Sequence, residues 1–155
     1  MNNKYKLYTA DVSYYSGKMK AYLKYKEIPF QSVETNTMDW LNILLPNTGM
    51  MKIPCIEAPE GQWLRDTTPM IEWFEKKHTD HAVQPEDPVV AFFSRLLEDY
   101  ADEWMWRPAL YYRWGFAYDF FHLSHRIGNE LAKLVGVPKL LGGLIVGIRQ
   151  RKVFS

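Results

Sequence analysis

Ile53-Pro54-Cys55-Ile56-Glu57-Ala58-Pro59-Glu60-Gly61-Gln62-Trp63-Leu64-Arg65-Asp66-Thr67 joins three kinds of local signal in one short run. Residues 53–58 and 62–65 are short β-forming segments, and Pro59-Glu60-Gly61 between them has turn composition, so the run predicts a β-hairpin. Directly after it, Thr67–Lys77 places Met70, Ile71, Trp73 and Phe74 on one side. Glu72, Glu75, Lys76 and Lys77 fall mostly outside, which is the periodicity of an amphipathic helix.

Upstream, strand and helix signals alternate. Lys4–Thr9 reads as a short strand, and Gly17–Lys26 as a helix with Met19, Tyr22, Leu23 and Lys26 at helical spacing. Ile28-Pro29-Phe30 ends that helix. Gln31–Thr35 follows as a second strand, then Asn36–Leu45 as a short helix ended by Pro46-Asn47-Thr48-Gly49. The order is therefore βαβαββα, an α/β domain on a mixed four-stranded sheet over residues 1–80. Residues 81–87 read as a linker, polar and broken by Pro85. Asp87 caps and Pro88 starts a long helix. Its expected buried stripe is Phe92, Phe93, Leu96, Leu97, Tyr100 and Trp104, and the aromatic run from Trp104 to Phe121 is expected as core. Residues 88–155 thus read as an all-helical second part.

Composition narrows the function classes. The 155 residues are 47% hydrophobic, 24% charged and 15% aromatic, which is an ordered globular composition. A net charge of +1 gives no broad footprint for nucleic acid. The single Cys55 leaves no intrachain disulfide and no multi-cysteine zinc site. The most apolar stretch, Leu134–Ile148, is interrupted by Lys139 and is shorter than the roughly 20 residues of a bilayer span, so no membrane association is expected. The absence of a signal-peptide core points to a cytoplasmic protein. His78 with His81, and His122 with His125, lack a third ligand at obvious spacing, so no metal site is expected.

Four features in order carry a family resemblance. They are Ser13-Tyr14-Tyr15-Ser16 between first strand and first helix, Ile53-Pro54 opening the third strand, Asp66-Thr67 opening the third helix, and the aromatic helix after the linker. In these the chain resembles the glutathione S-transferase family, from Lys4 to about Trp114. The resemblance implies a thioredoxin-like domain followed by a helical one, with glutathione as co-substrate. It implies a transferase that activates the glutathione thiol for attack on a small electrophile. The alternative is a non-catalytic glutathione-binding or protein-interaction module of the same fold. Because complete family members carry further helices, the resemblance implies that the helical domain over residues 88–155 is incomplete; a homodimer is implied if that domain is complete.

The residue roles follow from the same resemblance. A free thiol titrates near pH 8.5, so the site must lower that value with a hydrogen-bond donor at a helix N-terminus. Ser13 stands where the family places its catalytic Ser or Cys, with Tyr14 as the alternative donor and Tyr15 and Tyr8 as weaker rivals; a plain N-cap is the competing role for Ser13. Ser at both 13 and 16 disfavours disulfide exchange, and Cys55 is expected as a buried structural residue. Ile53 and Pro54 match the cis-proline whose preceding residue pairs with the cysteinyl backbone of glutathione. Asp66 and Thr67 match the acidic-then-hydroxyl pair that takes the γ-glutamyl end, with Arg65 and Gln62 as less certain neighbours. Asp102, with Asp99 second, matches an aspartate that reaches a partner subunit's glutathione across a dimer.

Overall fold

A computed structural model describes residues 4–154. They fall into two compact units, divided between Val83 and Gln84. In the first, strands β1 (Tyr5–Thr9), β2 (Phe30–Glu34), β3 (Cys55–Glu57) and β4 (Trp63–Arg65) form one sheet in the order β2-β1-β3-β4. β1 runs parallel to β2 and antiparallel to β3, and β3 is antiparallel to β4. This is the mixed sheet of a thioredoxin-like domain.

The sheet buries both faces, because helices lie on each. Tyr5, Leu7, Ile56 and Leu64 share one core with Met19, Tyr22 and Leu23 of helix α1 (Tyr14–Tyr25) and Met70 and Phe74 of α4 (Thr67–Lys77). Tyr8 and Cys55 point to the opposite core with Leu44, while Trp63 packs against them. The alternation along β1 and β3 is the period-2 pattern of a strand. Phe74, fully buried, contributes about 1.5–3 kcal/mol by leaving water.

Two boundaries differ from expectation. α1 begins at Tyr14 and not at Gly17, since Ser13 caps it by accepting from the Ser16 N–H at 3.2 Å. The helical stretch after β2 does not stop before Pro46. It runs as α2 (Thr37–Asp39), a π-helical turn (Trp40–Leu44) and α3 (Leu45–Thr48), ending at Gly49 with φ +70°. Pro46 is tolerated because the π turn restarts the ladder, leaving proline in a first-turn position where no N–H is required.

The second unit holds α5 (Pro88–Asp99), a π-helical turn (Tyr100–Trp104), α6 (Trp106–Trp114), α7 (Ala117–Val135) and α8 (Lys139–Phe154). The Asp87 carboxylate accepts from the Val89 and Val90 N–H groups at 2.8 and 3.0 Å, capping α5 as expected. Its stripe is not buried: Phe92, Phe93, Leu96, Leu97, Tyr100 and Trp104 are all at least half exposed. The aromatic run departs likewise, with Trp114 buried but Tyr111, Tyr112, Tyr118 and Phe121 exposed. An apolar stripe is buried only where another surface meets it. In this unit the packed seam lies between α7 and α8, with α6 against α7. None of the helices among the described residues is long and apolar enough to cross a membrane.

Candidate functional site

Strand register brings the expected residues of the first unit to one place. Tyr8 pairs with Cys55, and Cys55 with Arg65. The C-terminal end of β1, the N-terminal end of β3 and the C-terminal end of β4 therefore lie side by side. From that end emerge the loop to Ser13, the Ile53–Pro54 bond and the Asp66–Thr67 helix start. The sheet thus gathers Ser13, Ile53, Pro54, Asp66 and Thr67 at one end of the domain.

Ser13 is held by its own loop. Its N–H donates to the Ala10 carbonyl at 3.1 Å, and its carbonyl accepts from Gly17 at 3.1 Å. Ser16, buried beneath, accepts from the Ala10 N–H at 3.4 Å. The cap uses a lone pair of Ser13 Oγ, so its hydroxyl hydrogen can be directed at another acceptor. Capping and contact with a thiolate are therefore compatible. The first turn of α1 has no acidic residue to oppose an anion at this end. Tyr14, next along, is 44% exposed.

Tyr8 is engaged elsewhere. Its hydroxyl donates to Glu57 Oε2 at 3.1 Å, and its ring stacks on Trp63 at 5.3 Å. Burial, then the hydrogen bond to Glu57, push its pKa up to about 12. Such a phenol is a poorer acid than an ordinary tyrosine. Glu57 also pairs with Lys6 at 3.1 Å.

The Ile53–Pro54 peptide is cis. Pro54 is buried, and Ile53 packs beside Tyr8, Leu44 and Cys55. The loop before it is tied down from several directions. The Thr48 hydroxyl donates to the Leu44 carbonyl at 2.6 Å, Arg65 Nη1 donates to the Thr48 carbonyl, and Cys55 Sγ donates to the Lys52 carbonyl at 3.1 Å. Burial raises the Cys55 thiol to about 11, which suits a structural cysteine and not a nucleophile. Thr48 is a positioning residue that sequence reasoning passed over. Its signal was present in Thr48-Gly49, where a hydroxyl precedes a left-handed glycine. Arg65, a less certain neighbour of the γ-glutamyl end in the sequence reading, braces this loop through its bond to the Thr48 carbonyl.

Asp66 has φ +67° and ψ 127°, a backbone conformation that non-glycine residues rarely adopt. Its side chain is exposed and makes no capping bond, while its carbonyl accepts from the Met70 N–H at 3.0 Å. Thr67 is buried at the first helical position, and Pro69, within the first turn, has no N–H to leave unsatisfied. An exposed carboxylate thus sits next to a helix N-terminus, where a ligand carrying both an ammonium and a carboxylate finds complementary charges. Strain of this kind concentrates at functional positions.

Asp102 lies in the π-helical turn of the second unit, half-buried, and Asp99 is the last residue of α5. His122 stacks on Tyr118, and His125 meets Phe121 edge-on. Among the described residues no group of three His, Cys, Asp or Glu is arranged to hold a metal ion.

The comparisons agree with this architecture. Residues 7–82 match the family described as glutathione S-transferase, N-terminal domain. No curated protein matches the chain in sequence. Among solved structures, a glutathione S-transferase from Methylobacillus flagellatus KT with glutathione bound is 25% identical, with a TM-score of 0.57 over 64% of this chain and 49% of that one. One from Methylobacterium radiotolerans, in complex with glutathione sulfonate, is 20% identical, with a TM-score of 0.59 over 97% of this chain and 62% of that one. A Tau class glutathione S-transferase from mango, Mangifera indica, is 16% identical, with a TM-score of 0.63 over 99% and 80%. The chain therefore spans less than two-thirds of the length of either bacterial protein. On the match over residues 7–82, and with the sheet, helix order and helical second unit in place, the chain belongs to the glutathione S-transferase family.

Proposed function

We propose that the chain binds glutathione at the end of the sheet where Ser13, Ile53, Pro54, Asp66 and Thr67 converge, and activates its thiol for attack on a small electrophile. The observation that carries this reading is the pairing of two helix N-termini at that end. One is capped by Ser13 with its hydroxyl hydrogen available, and the other carries Asp66 and the buried Thr67. In this reading Asp66 pairs with the ligand ammonium, Thr67 and the start of α4 take the γ-glutamyl carboxylate, and the Ile53 backbone pairs with the cysteinyl backbone. Ser13, or Tyr14 in its place, donates to sulfur. Asp102 reaches the glutathione of a second copy in a homodimer. We place the boundary of the glutathione domain at residue 80, with 81–87 as linker and helices from 88 onward, and the protein in the cytoplasm.

Ser13 and Thr67 separate binding from activation. Thr67→Ala should weaken glutathione binding, measured by calorimetry, by about 1–2 kcal/mol, the scale of a hydrogen bond to a charged group. Ser13→Ala should leave affinity nearly intact but raise the pKa of the bound thiol by about one unit, lowering conjugation near neutral pH roughly tenfold. A pH–rate profile that moves for Tyr14→Phe and not for Ser13→Ala would transfer the role to Tyr14. Unchanged affinity in Thr67→Ala would place the pocket elsewhere. The alternative is a non-catalytic glutathione-binding or protein-interaction module of the same fold. Tight glutathione binding without turnover of any generic electrophile would establish it.

A further inference from the structure

α7 and α8 meet along small residues, and their glycines divide into two kinds. A Cβ at Gly128 would lie 2.3 Å from the Gly143 nitrogen, and one at Gly142 would lie 2.1 Å from the Gly128 carbonyl oxygen. Those two glycines are required by the close approach of the backbones. Gly143 and Gly147 are not. A Cβ at either would meet only ordinary contacts, 3.7 Å to His125 Nδ1 and 3.8 Å to Ser124 Oγ respectively. Glycine inside a helix lowers its stability relative to alanine, so packing leaves these two unexplained.

Both line an open groove of about 510 Å³ on the two helices, together with Phe121, Leu144, Ile148 and Arg151. Its size is that of a small-molecule site. Ser124, 7% exposed, also lines it, and its Oγ makes no hydrogen bond among the described residues. A buried hydroxyl without a partner costs stability that a bound polar atom would restore. Arg151 follows Gly147 by one helical turn, and its guanidinium lies 5.4 Å from the centroid of the Phe120 ring. α8 carries Lys139, Arg149, Arg151 and Lys152 and no acidic residue.

We infer that this groove binds an amphipathic carboxylate. Its alkyl or aryl body lies on Gly143 and Gly147 between Phe121 and Leu144, and its carboxylate takes hydrogen bonds from Arg151 and the Ser124 hydroxyl. The site lies wholly in the second unit and does not depend on the glutathione reading.

The probe is sodium dodecanoate, titrated into the full chain by equilibrium dialysis, with dodecyltrimethylammonium as the control of equal chain and opposite charge. Dodecanoate should bind saturably and at least tenfold more tightly than the cation, and glutathione should not displace it. Arg151→Gln should weaken it about tenfold, the scale of a lost charge-assisted hydrogen bond. Gly147→Leu, which fills the groove, should weaken it at least as much. Ser124→Ala gives the sharper test, since it should weaken dodecanoate several-fold while the unliganded protein melts no lower than wild type. If Gly147→Leu loses helix content by circular dichroism, Arg151→Gln and Ser124→Ala decide alone. Equal binding of the cation, or affinity unchanged in both of those variants, overturns the proposal.

Discussion

Lys26 and Glu75 carry opposite charges into the interior of the first unit. Lys26 Nζ, fully buried, lies 2.8 Å from Glu75 Oε1 and donates to the His78 carbonyl at 2.6 Å. Glu75 also accepts from the Tyr22 hydroxyl at 2.7 Å and from the Val83 N–H at 3.0 Å. Burial pushes the Glu75 carboxyl up, but the hydrogen bonds from Lys26, Tyr22 and Val83 outweigh it and hold it below the ordinary carboxylate range. Glu75→Gln leaves the Lys26 ammonium buried without its counter-charge, so it should cost about 3–5 kcal/mol in urea unfolding. Lys26→Met should cost less, because two donors still serve the remaining carboxylate. Since the folded pKa is depressed, the stabilisation is present above the unfolded value of about 4.3 and is lost as pH falls through the lower folded one. The acid limb of a stability–pH profile should therefore be flatter in Glu75→Gln, and an unaltered limb would mean that the carboxylate is not what these groups stabilise. Half of this pair was legible in the chain. Lys26 falls at helical spacing with Met19, Tyr22 and Leu23, hence on the buried face, whereas Glu75 reads as an outside position of α4. Its burial depends on α1 lying alongside, which no local pattern records.

Legibility at the scale of elements follows the range of the interactions that define them. The start of α5 at Pro88 was readable because the Asp87 cap acts within three residues, and α4 was readable from the helical spacing of Met70, Ile71, Trp73 and Phe74. The π-helical turns and the continuation through Pro46 were not, since a widened turn leaves no compositional mark. The stripe of α5 was readable as a stripe but not as exposed, because exposure is decided by what lies opposite. The gathering of Ser13, Ile53, Pro54, Asp66 and Thr67 was reached through family resemblance, and only strand register gives it a physical basis. The α7–α8 crossing is likewise invisible in helix periodicity and tests easily. Gly142→Ala would set a Cβ against backbone, which cannot yield as a side-chain tip can. It should destabilise the second unit by about 1–3 kcal/mol despite better helix propensity. Gly143→Ala, one residue on, meets only ordinary contacts and should be neutral or stabilising by up to about 1 kcal/mol. Equal melting temperatures for the two variants would show that the helices do not cross where the glycines place them.

At the scale of the whole molecule, the junction between the units is held at two points and open between them. Val83 is tied back to Glu75, and Asp87 is committed to capping α5. Between them lie Gln84, Pro85 and Glu86, outside any helix or strand. A protease needs several residues free of regular hydrogen bonding, so native cleavage concentrates at such segments. A glutamate-specific protease should therefore cut first after Glu86, separating residues 1–86 from 87–155 on a gel before either fragment is degraded. Glu60 is the natural rival in the first unit, exposed at the hairpin turn, but Lys77 pairs with it. Glu103 is the rival in the second, within a turn whose hydrogen bonds are spaced for a π-helix. The two anchors add a directional expectation: Glu75→Gln releases the Val83 N–H and lengthens the open segment, so cleavage after Glu86 should accelerate several-fold under native conditions. If the first cut falls at Glu103 in both proteins, the π-helical turn is the weaker point and the junction is more ordered than its two anchors imply.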